Sequence, residues 1–393
     1  MTAVEPVSGD PRRTPAPTLT SVVRYFLWLG TIGFGGPVVL VERMRRDLEE
    51  ERHWYTPAEY KEGLALAQLA PGPLAAQLAV YLGWVRAGAL GATLVGLAFV
   101  GPSFIMVLAL SAAYLRFGGL PWMQGAFYGI GAAVIAVIAH SAFRLVKKTV
   151  GGDRMLWSIV AINALLTARM ERELVWVVVA SGVFVLAWRQ LVRMRGVTHA
   201  AIVPSWLVTG LHGPATAGTL ATIIGYFTKA GAVVFGSGLA IVPFLHGGVV
   251  QEMHWLNERQ FLDAVAVSMI TPGPVVITVA FIGYLVAGPF GACAAAIGVF
   301  LPVYVVVVVV ARSFHRVAQN GSLRAMIDGV TAAATGAIAG AVFVLGRRAL
   351  TDVVTWLMFV AALALVLWAK KVSEPVLILA AGVAGVLLHG VTA

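Results

Sequence analysis

Long apolar stretches restrict the fold of this chain more than any other feature of its sequence. They recur from residue 21 onwards, and most come close to the roughly 20 residues that a membrane-spanning helix needs. With 59% hydrophobic and only 12% charged residues, the chain lacks the polar surface of a soluble domain. We predict an all-α polytopic membrane protein with about 10–12 membrane segments, in windows at 21–41, 62–85, 88–115, 122–146, 155–168, 173–192, 215–245, 261–285, 288–312, 323–346, 350–369 and 374–391.

The sequence is internally duplicated. Two rare words, His-Trp and Pro-Gly-Pro, each occur in both halves at one shared spacing of 201 positions, starting at His53 and Pro71 in the first half. A shared spacing of rare words indicates two copies of one unit. We predict a flexible N-terminal tail at 1–20, a first membrane repeat at 21–192, a polar linker at 193–213 and a second membrane repeat at 214–393.

The distribution of basic residues between the two sides of the membrane tests the predicted membrane topology. The basic residues lie in short clusters between the apolar windows, as the positive-inside rule predicts, and not on a folded domain that binds nucleic acid. If every window crossed the membrane, both sides would carry equal positive charge. Treating 62–85 and 261–285 as re-entrant hairpins gives a clear bias and makes the repeats inverted. Treating 21–41 and its repeat partner as re-entrant as well keeps the bias but makes the repeats parallel. Charge leaves the relation of the repeats open, and we favour inverted repeats because they commonly form two alternating gates.

Glycine and proline interrupt the apolar segments at four places. In lipid, a broken helix exposes backbone polar groups that must face protein or a water-filled cavity. Helix N-termini in such a cavity bind anions through free N–H groups. We predict a substrate site at these breaks, the alternative being close helix packing or tolerated kinks. The candidate residues are Phe34, Gly35, Gly36, Pro37, Gln68, Pro71, Gly72, Pro73, Phe235, Gly236, Ser237, Gly238, Thr271, Pro272, Gly273 and Pro274, with Gln77 and Thr278 close by.

Three charged residues stand out inside or beside the apolar windows. Lys229 lies in the centre of window 215–245, where a charge is costly and usually functional, and we predict that it supplies positive potential to an anion path. Its alternatives are snorkelling and a salt bridge. Glu62 and Asp263 are repeat partners beside the Pro-Gly-Pro words, and either could carry a coupled proton or act at a helix N-terminus.

Other chemistries have little support in the sequence. Cys293 is the sole cysteine, and the histidines show no metal-binding spacing, so we predict no metal and no cofactor. No Gly-Lys dipeptide occurs, which excludes a P-loop for ATP in this sequence. Residues 1–20 lack the apolar core of a signal peptide. An intramembrane enzyme would need paired catalytic side chains, which the sequence does not support, and we predict that the chain is not an enzyme.

The motifs around the breaks resemble those of a known family. "FLWLGTIGFGGP" at 26–37 followed by "LAQLAPGP" at 66–73 is similar to the chromate ion transporter family. So is "FTKAGAVVFGSGLAIVP" at 227–243 together with the segment from His254 to Gly288. The likeness extends over both halves, and the two-domain form of that family is a duplicated unit like this one.

The resemblance implies a specific function. Members export chromate from the bacterial cytoplasm, with transport thought to depend on the proton motive force and with sulfate as a competing structural analogue. Met269 stands where the family often has glutamine, and Ser237 where glycine is usual. The expectation is therefore a multi-pass inner-membrane exporter of chromate, with uptake of sulfate or another oxyanion as the alternative, and with a homodimer left open.

Overall fold

The computed structural model describes residues 17–34, 37–70, 72–117, 120–151, 153–170, 175–191, 216–233, 235–236, 241–311, 321–368 and 374–392. The linker predicted at 193–213 lies outside these residues. The first repeat contains α1 (Leu19–Ile32), α2 (Pro37–Met44), a π-helix (Arg45–Glu51), α3 (Pro57–Leu69), β1 (Gly72–Pro73), α4 (Leu74–Phe117), α5 (Pro121–Val150), α6 (Arg154–Met170) and α7 (Val175–Leu191). The second contains α8 (Ala217–Val233), β2 (Phe235–Gly236), α9 (Ile241–Leu245), a π-helix (His246–Glu252), α10 (Glu258–Ile270), a 3-10 turn (Val275–Ile277), α11 (Thr278–Val310), α12 (Gly321–Ala349), α13 (Val353–Trp368) and α14 (Glu374–Thr392).

The first repeat begins with two helical hairpins. α1 and α2 with its π-helix form hairpin 1, in which Tyr25 Oη donates to Asp47 Oδ2 at 3.1 Å. α3 and the start of α4 form hairpin 2, in which Gly63 packs against the ring of Tyr81. If α3 continued straight into α4, Gly63 and Tyr81 would be more than about 20 Å apart at 1.5 Å per residue. A hairpin is therefore present in window 62–85, and window 21–41 forms a second one.

The second repeat begins in the same way. α8 and α9 with its π-helix form hairpin 3, in which Tyr226 Oη donates to the carbonyl oxygen of Phe244 at 3.1 Å. α10 and the start of α11 form hairpin 4, in which Thr278 Oγ1 donates to Ser268 Oγ at 2.6 Å. All four hairpins bend at the glycine and proline words of the sequence.

A sharp reversal inside α4 and α11 turns each chain from a hairpin into a long helical arm. The reversal is centred on Gly88 in α4, with φ +56°, and on Gly288 in α11, with φ +62°. A side chain rarely adopts this left-handed conformation, which explains glycine at both positions. The stretches that follow, 89–117 of α4 and 289–310 of α11, are called the long arms here.

The two long arms run antiparallel. Thr93, near the start of the first arm, is hydrogen-bonded to Tyr304, late in the second arm, at 2.9 Å. Phe104 of the first arm and Cys293 of the second both line the groove between the arms. A twofold axis along the membrane normal would make the arms parallel, so this antiparallel packing indicates inverted repeats.

The remaining helices of each repeat pack against helices of the other repeat. α6 and α7 of the first repeat pack on α12 of the second, and α13 and α14 pack on α5 of the first. In the part of the chain that the structure describes, four helical segments are long and apolar enough to cross a membrane: Leu74–Phe117, Pro121–Lys147, Val275–Val310 and Asp328–Ala349. The long arms and their neighbours thus form a spanning scaffold around the four shorter hairpins.

The His-Trp words mark the ends of the two π-helices. His53 and His254 adopt φ of +50° and +51°. Each Nδ1 lies 2.9 Å from the carbonyl oxygen four residues earlier, in Glu49 and Val250. Histidine is one of the few side chains enriched in this conformation. Both π-helices end in the same way, which explains why the His-Trp pair occurs in both repeats.

Candidate functional site

The four hairpins meet at their tips, and each tip contacts a tip of the other repeat. Tip 2 (Gly72–Pro73) and tip 3 (Phe235–Gly236) form a parallel two-stranded bridge, in which Gly72 is opposite Phe235 and Pro73 is opposite Gly236. The first Pro-Gly-Pro word therefore pairs with the second Phe-Gly word. We call this contact the tip 2–3 junction.

The other two tips form the equivalent contact. The backbone N–H of Gly273 in tip 4 (271–274) donates to the carbonyl oxygen of Gly33 in tip 1 (Gly33 and Phe34) at 3.0 Å. Ser103, halfway along the first long arm, packs against Gly273, and its hydroxyl donates to the carbonyl oxygen of Gly30 at 3.4 Å. We call this contact the tip 1–4 junction.

A small cavity lies where three of the tips converge. It has a volume of about 10 Å³, which is room for roughly one water molecule. A tetrahedral oxyanion does not fit in a space of this size, so the tips are closed on one another in this structure. The cavity is lined by Pro37, Leu40, Pro73, Ala75, Gly273, Pro274 and Val275.

A much larger cavity is unsuited to an anion. It measures about 400 Å³ and lies between the two long arms, with walls that include Leu97, Phe104, Ile297 and Phe300. Its lining is almost entirely carbon, and transferring a charged group into such surroundings without partners is strongly unfavourable. Size alone therefore does not identify the anion site. The tips are the better candidate, because the backbone N–H of Gly273 and the buried hydroxyls of hairpin 4 lie beside the small cavity.

Hydrogen-bonding side chains surround the tips. Thr271 and Thr278, both buried, belong to hairpin 4, where Thr271 Oγ1 donates to the carbonyl oxygen of Val267 at 2.7 Å. In hairpin 2, buried Gln77 donates from Nε2 to the carbonyl oxygen of Ala70 at 3.2 Å. These neutral groups, together with backbone N–H groups, can coordinate an anion without a full countercharge.

Three of the predicted residues lie on accessible surfaces near the breaks. Phe34 is 44% exposed, and Gln68 on the last turn of α3 is exposed. Lys229 is exposed on α8, two turns before tip 3. The structure therefore does not bury Lys229 between the tips. The residue at the equivalent position of the first repeat is Trp28. The predicted residues Gly35, Gly36, Pro71, Ser237 and Gly238 lie outside the described residues.

The two acidic repeat partners differ in their surroundings. Asp263 is 4% exposed and accepts a 2.6 Å hydrogen bond from Tyr114, at the far end of the first long arm. Glu62 is half-buried and interacts with Tyr81 of its own hairpin. The N-caps of α3 and α10 are Thr56 and Asn257, so neither acid is needed for capping.

Sequence reasoning missed two residues of this region. Ser103 follows Gly101 and Pro102, and Pro102 aligns with Pro302 at a spacing of 200 positions. A hydroxyl beside a repeated proline in an apolar helix was the available signal. Tyr114 had none, because its importance depends on a contact with Asp263 that lies 149 positions away.

Within the described residues, no cluster of three or more histidine, cysteine or acidic side chains could hold a metal ion. The chemistry that this arrangement offers is reversible binding. Backbone donors, hydroxyls and amides lie close to the contacts between the tips of the two repeats.

Comparisons with known proteins identify the relatives of this chain. The family model described as "Chromate transporter" matches residues 20–186 and 221–386, one match in each half. The chromate transport protein of Cupriavidus metallidurans is 54% identical over 97% of this chain and 96% of its own length. A probable chromate transport protein of Synechococcus elongatus is 53% identical over 95% and 96%, and the chromate transport protein of Pseudomonas aeruginosa is 34% identical over 92% and 91%. No solved structure matches the chain significantly. The helical class and the two repeats predicted from the sequence are confirmed.

Proposed function

Because this chain belongs to the chromate transporter family, we propose that it is a secondary transporter that carries chromate out of the cell across the cytoplasmic membrane. The observation that carries the proposal is the meeting of four broken hairpins, two from each inverted repeat, through backbone contacts between their tips. Two relatives along nearly the whole chain are named for chromate transport, which supports a transporter and not an enzyme.

The inverted repeats support an alternating-access mechanism. In this mechanism, hairpins of the first repeat open towards one end of the long arms and hairpins of the second open towards the other. The contact of Asp263 in hairpin 4 with Tyr114, at the far end of the first long arm, supports this arrangement. Opening one pair of tips would expose the centre to one side while the other pair stays closed. In the closed state, the N–H of Gly273 is held by Gly33, and an anion would take the place of that carbonyl.

The ligand that fits this centre is a tetrahedral oxyanion. Backbone N–H groups and the hydroxyls of Thr271 and Thr278 donate hydrogen bonds, and such bonds to a charged acceptor contribute about 1.5–3 kcal/mol each. Chromate and sulfate share charge and shape, so both satisfy these donors. We propose chromate as the exported substrate, sulfate as a competitor, and the proton motive force as the energy source.

A flux measurement tests the proposal. Everted membrane vesicles from cells expressing this chain are energised by respiration and supplied with chromate. Energy-dependent chromate uptake that excess sulfate inhibits is the expected result. Chromate uptake at the level of vesicles without the protein, despite good expression, would contradict the proposal. Sulfate uptake in right-side-out vesicles would then indicate an importer with the same fold.

Lys229 gives a separate prediction. Replacing it with glutamine removes positive potential at an exposed position near tip 3, so we expect the half-saturating chromate concentration to rise several-fold, roughly 3–10-fold for a contribution of about 1 kcal/mol. Exposed charges are screened by salt, so the difference should shrink as ionic strength rises. Lys229→Arg should transport normally, as should Lys61→Gln, which removes an exposed lysine at the start of hairpin 2. An unchanged half-saturating concentration in Lys229→Gln would contradict this role.

A further inference from the structure

The two tip junctions are equivalent in backbone but not in chemistry. Tip 4 seats Gly273, with φ +107°, against Ser103, and tip 2 seats Gly72, with φ +133°, against Val303. Ser103 and Val303 occupy matching places on the two long arms, 200 positions apart. One junction thus presents a hydroxyl where the other presents two methyl groups.

The same difference extends into the hairpins behind the tips. Hairpin 4 contains three buried hydroxyls, on Ser268, Thr271 and Thr278. The matching positions of hairpin 2 carry two alanines and one amide: Ala67, Ala70 and Gln77. With Ser103 included, the tip 1–4 junction has four buried hydroxyls around its bend, and the tip 2–3 junction has none at the matching positions.

On the basis of the transport function proposed above, we infer that the anion binds asymmetrically, at the tip 1–4 junction, and that Ser103 is a residue that determines its affinity. A buried dianion needs donors to replace its hydration. The tip 1–4 junction supplies the Ser103 hydroxyl beside the N–H of Gly273, whereas Val303 cannot donate a hydrogen bond.

The hydrogen bond that the Ser103 hydroxyl makes in this structure is weak, which leaves the hydroxyl available to an anion. The hydroxyl is fully buried and reaches the carbonyl oxygen of Gly30 only at 3.4 Å. Hydroxyl hydrogen bonds are normally 2.5–3.0 Å long, so this one is weak. Exchanging it for a shorter bond to a charged acceptor is favourable. The tip 2–3 junction, where the Gln77 amide already donates to the carbonyl oxygen of Ala70, then acts as the gate and is closed by backbone pairing.

Matched variants at the two junctions test the inference. Ser103→Ala removes the hydroxyl, and Val303→Ala trims the matching side chain by two methyl groups. Each purified protein is reconstituted in liposomes, and chromate flux is measured against concentration at a fixed pH gradient. For Ser103→Ala we expect the half-saturating chromate concentration and the inhibition constant for sulfate to rise at least about tenfold, equivalent to 1.4 kcal/mol. The maximal rate should stay within about twofold of normal. Val303→Ala should leave both concentrations unchanged.

Two outcomes would overturn the inference: an unchanged half-saturating concentration in well-folded Ser103→Ala, or an equal rise in Val303→Ala. If Ser103→Ala fails to give a monodisperse protein, Thr271→Val is the substitute, because it removes a hydroxyl of the same junction at nearly constant volume. Equilibrium binding of radiolabelled sulfate separates this inference from the proposed function. Wild-type protein that binds sulfate but moves no chromate would contradict only the function. Loss of binding in Ser103→Ala would still support the site.

Discussion

Replacing Gly273 with alanine is expected to abolish chromate transport while leaving the protein inserted in the membrane. Gly273 has φ +107°, and a Cβ there would overlap the Ser103 hydroxyl. Left-handed strain costs about 1–3 kcal/mol for a residue other than glycine, and overpacking adds typically 1–3 kcal/mol. Together they would prevent tip 4 from closing on tip 1. We expect at least a roughly 100-fold loss of flux in reconstituted liposomes, corresponding to about 2.8 kcal/mol.

The control lies on the same helix as Ser103. Gly101 is in the first long arm, and a Cβ there would meet no atom within 4 Å. Gly101→Ala should therefore keep transport within about twofold of wild type, as surface substitutions usually do. Gly72→Ala should behave like Gly273→Ala, because Gly72 has φ +133° and a Cβ would lie 2.7 Å from both Gln77 and Val303. Normal transport by Gly273→Ala would show that the tip 1–4 junction is not part of the gate.

The sequence predicted the local breaks well because their cause is local. Glycine and proline disfavour helix wherever they lie, and Gly273 and Pro274 mark a bend in any context. The repetition of rare words located both copies of each bend. Charge near the membrane surface indicated the re-entrant course of window 62–85.

The partners of each break were beyond sequence reasoning. The pairing of Gly72 with Phe235 joins residues 163 positions apart, from different repeats. No local pattern specifies such a contact, because it results from the packing of two inverted units. For the same reason the sequence did not identify Ser103, because its contact with Gly273 is known only from the structure. The role predicted for Lys229 stays a prediction, because the structure shows only that its side chain is exposed.

We propose that Asp263 is the residue that couples transport to protons. It is 4% exposed, lies in hairpin 4 two turns before its tip, and is held by Tyr114 of the other repeat. Arg259, one turn earlier on α10, is the nearest basic residue on the same helix. A carboxylate is costly to bury at membrane depth, so proton exchange there depends on whether the hairpin is open. Hairpin movement that separates Asp263 from Tyr114 would therefore link protonation to the state of the gate.

Replacing Asp263 with asparagine is accordingly expected to uncouple transport from the pH gradient. The neutral amide keeps the shape and a hydrogen bond to Tyr114 but cannot carry a proton. Gradient-driven chromate accumulation in liposomes should fall at least about tenfold, the effect of losing 1.4 kcal/mol of driving force. Chromate exchange without a gradient should stay within about threefold of normal, because exchange needs no net proton movement. Glu62→Gln is the matched control in the first repeat and should retain both activities. If Asp263→Asn accumulates chromate normally, or if Glu62→Gln is the variant that loses accumulation, the proton site is not Asp263.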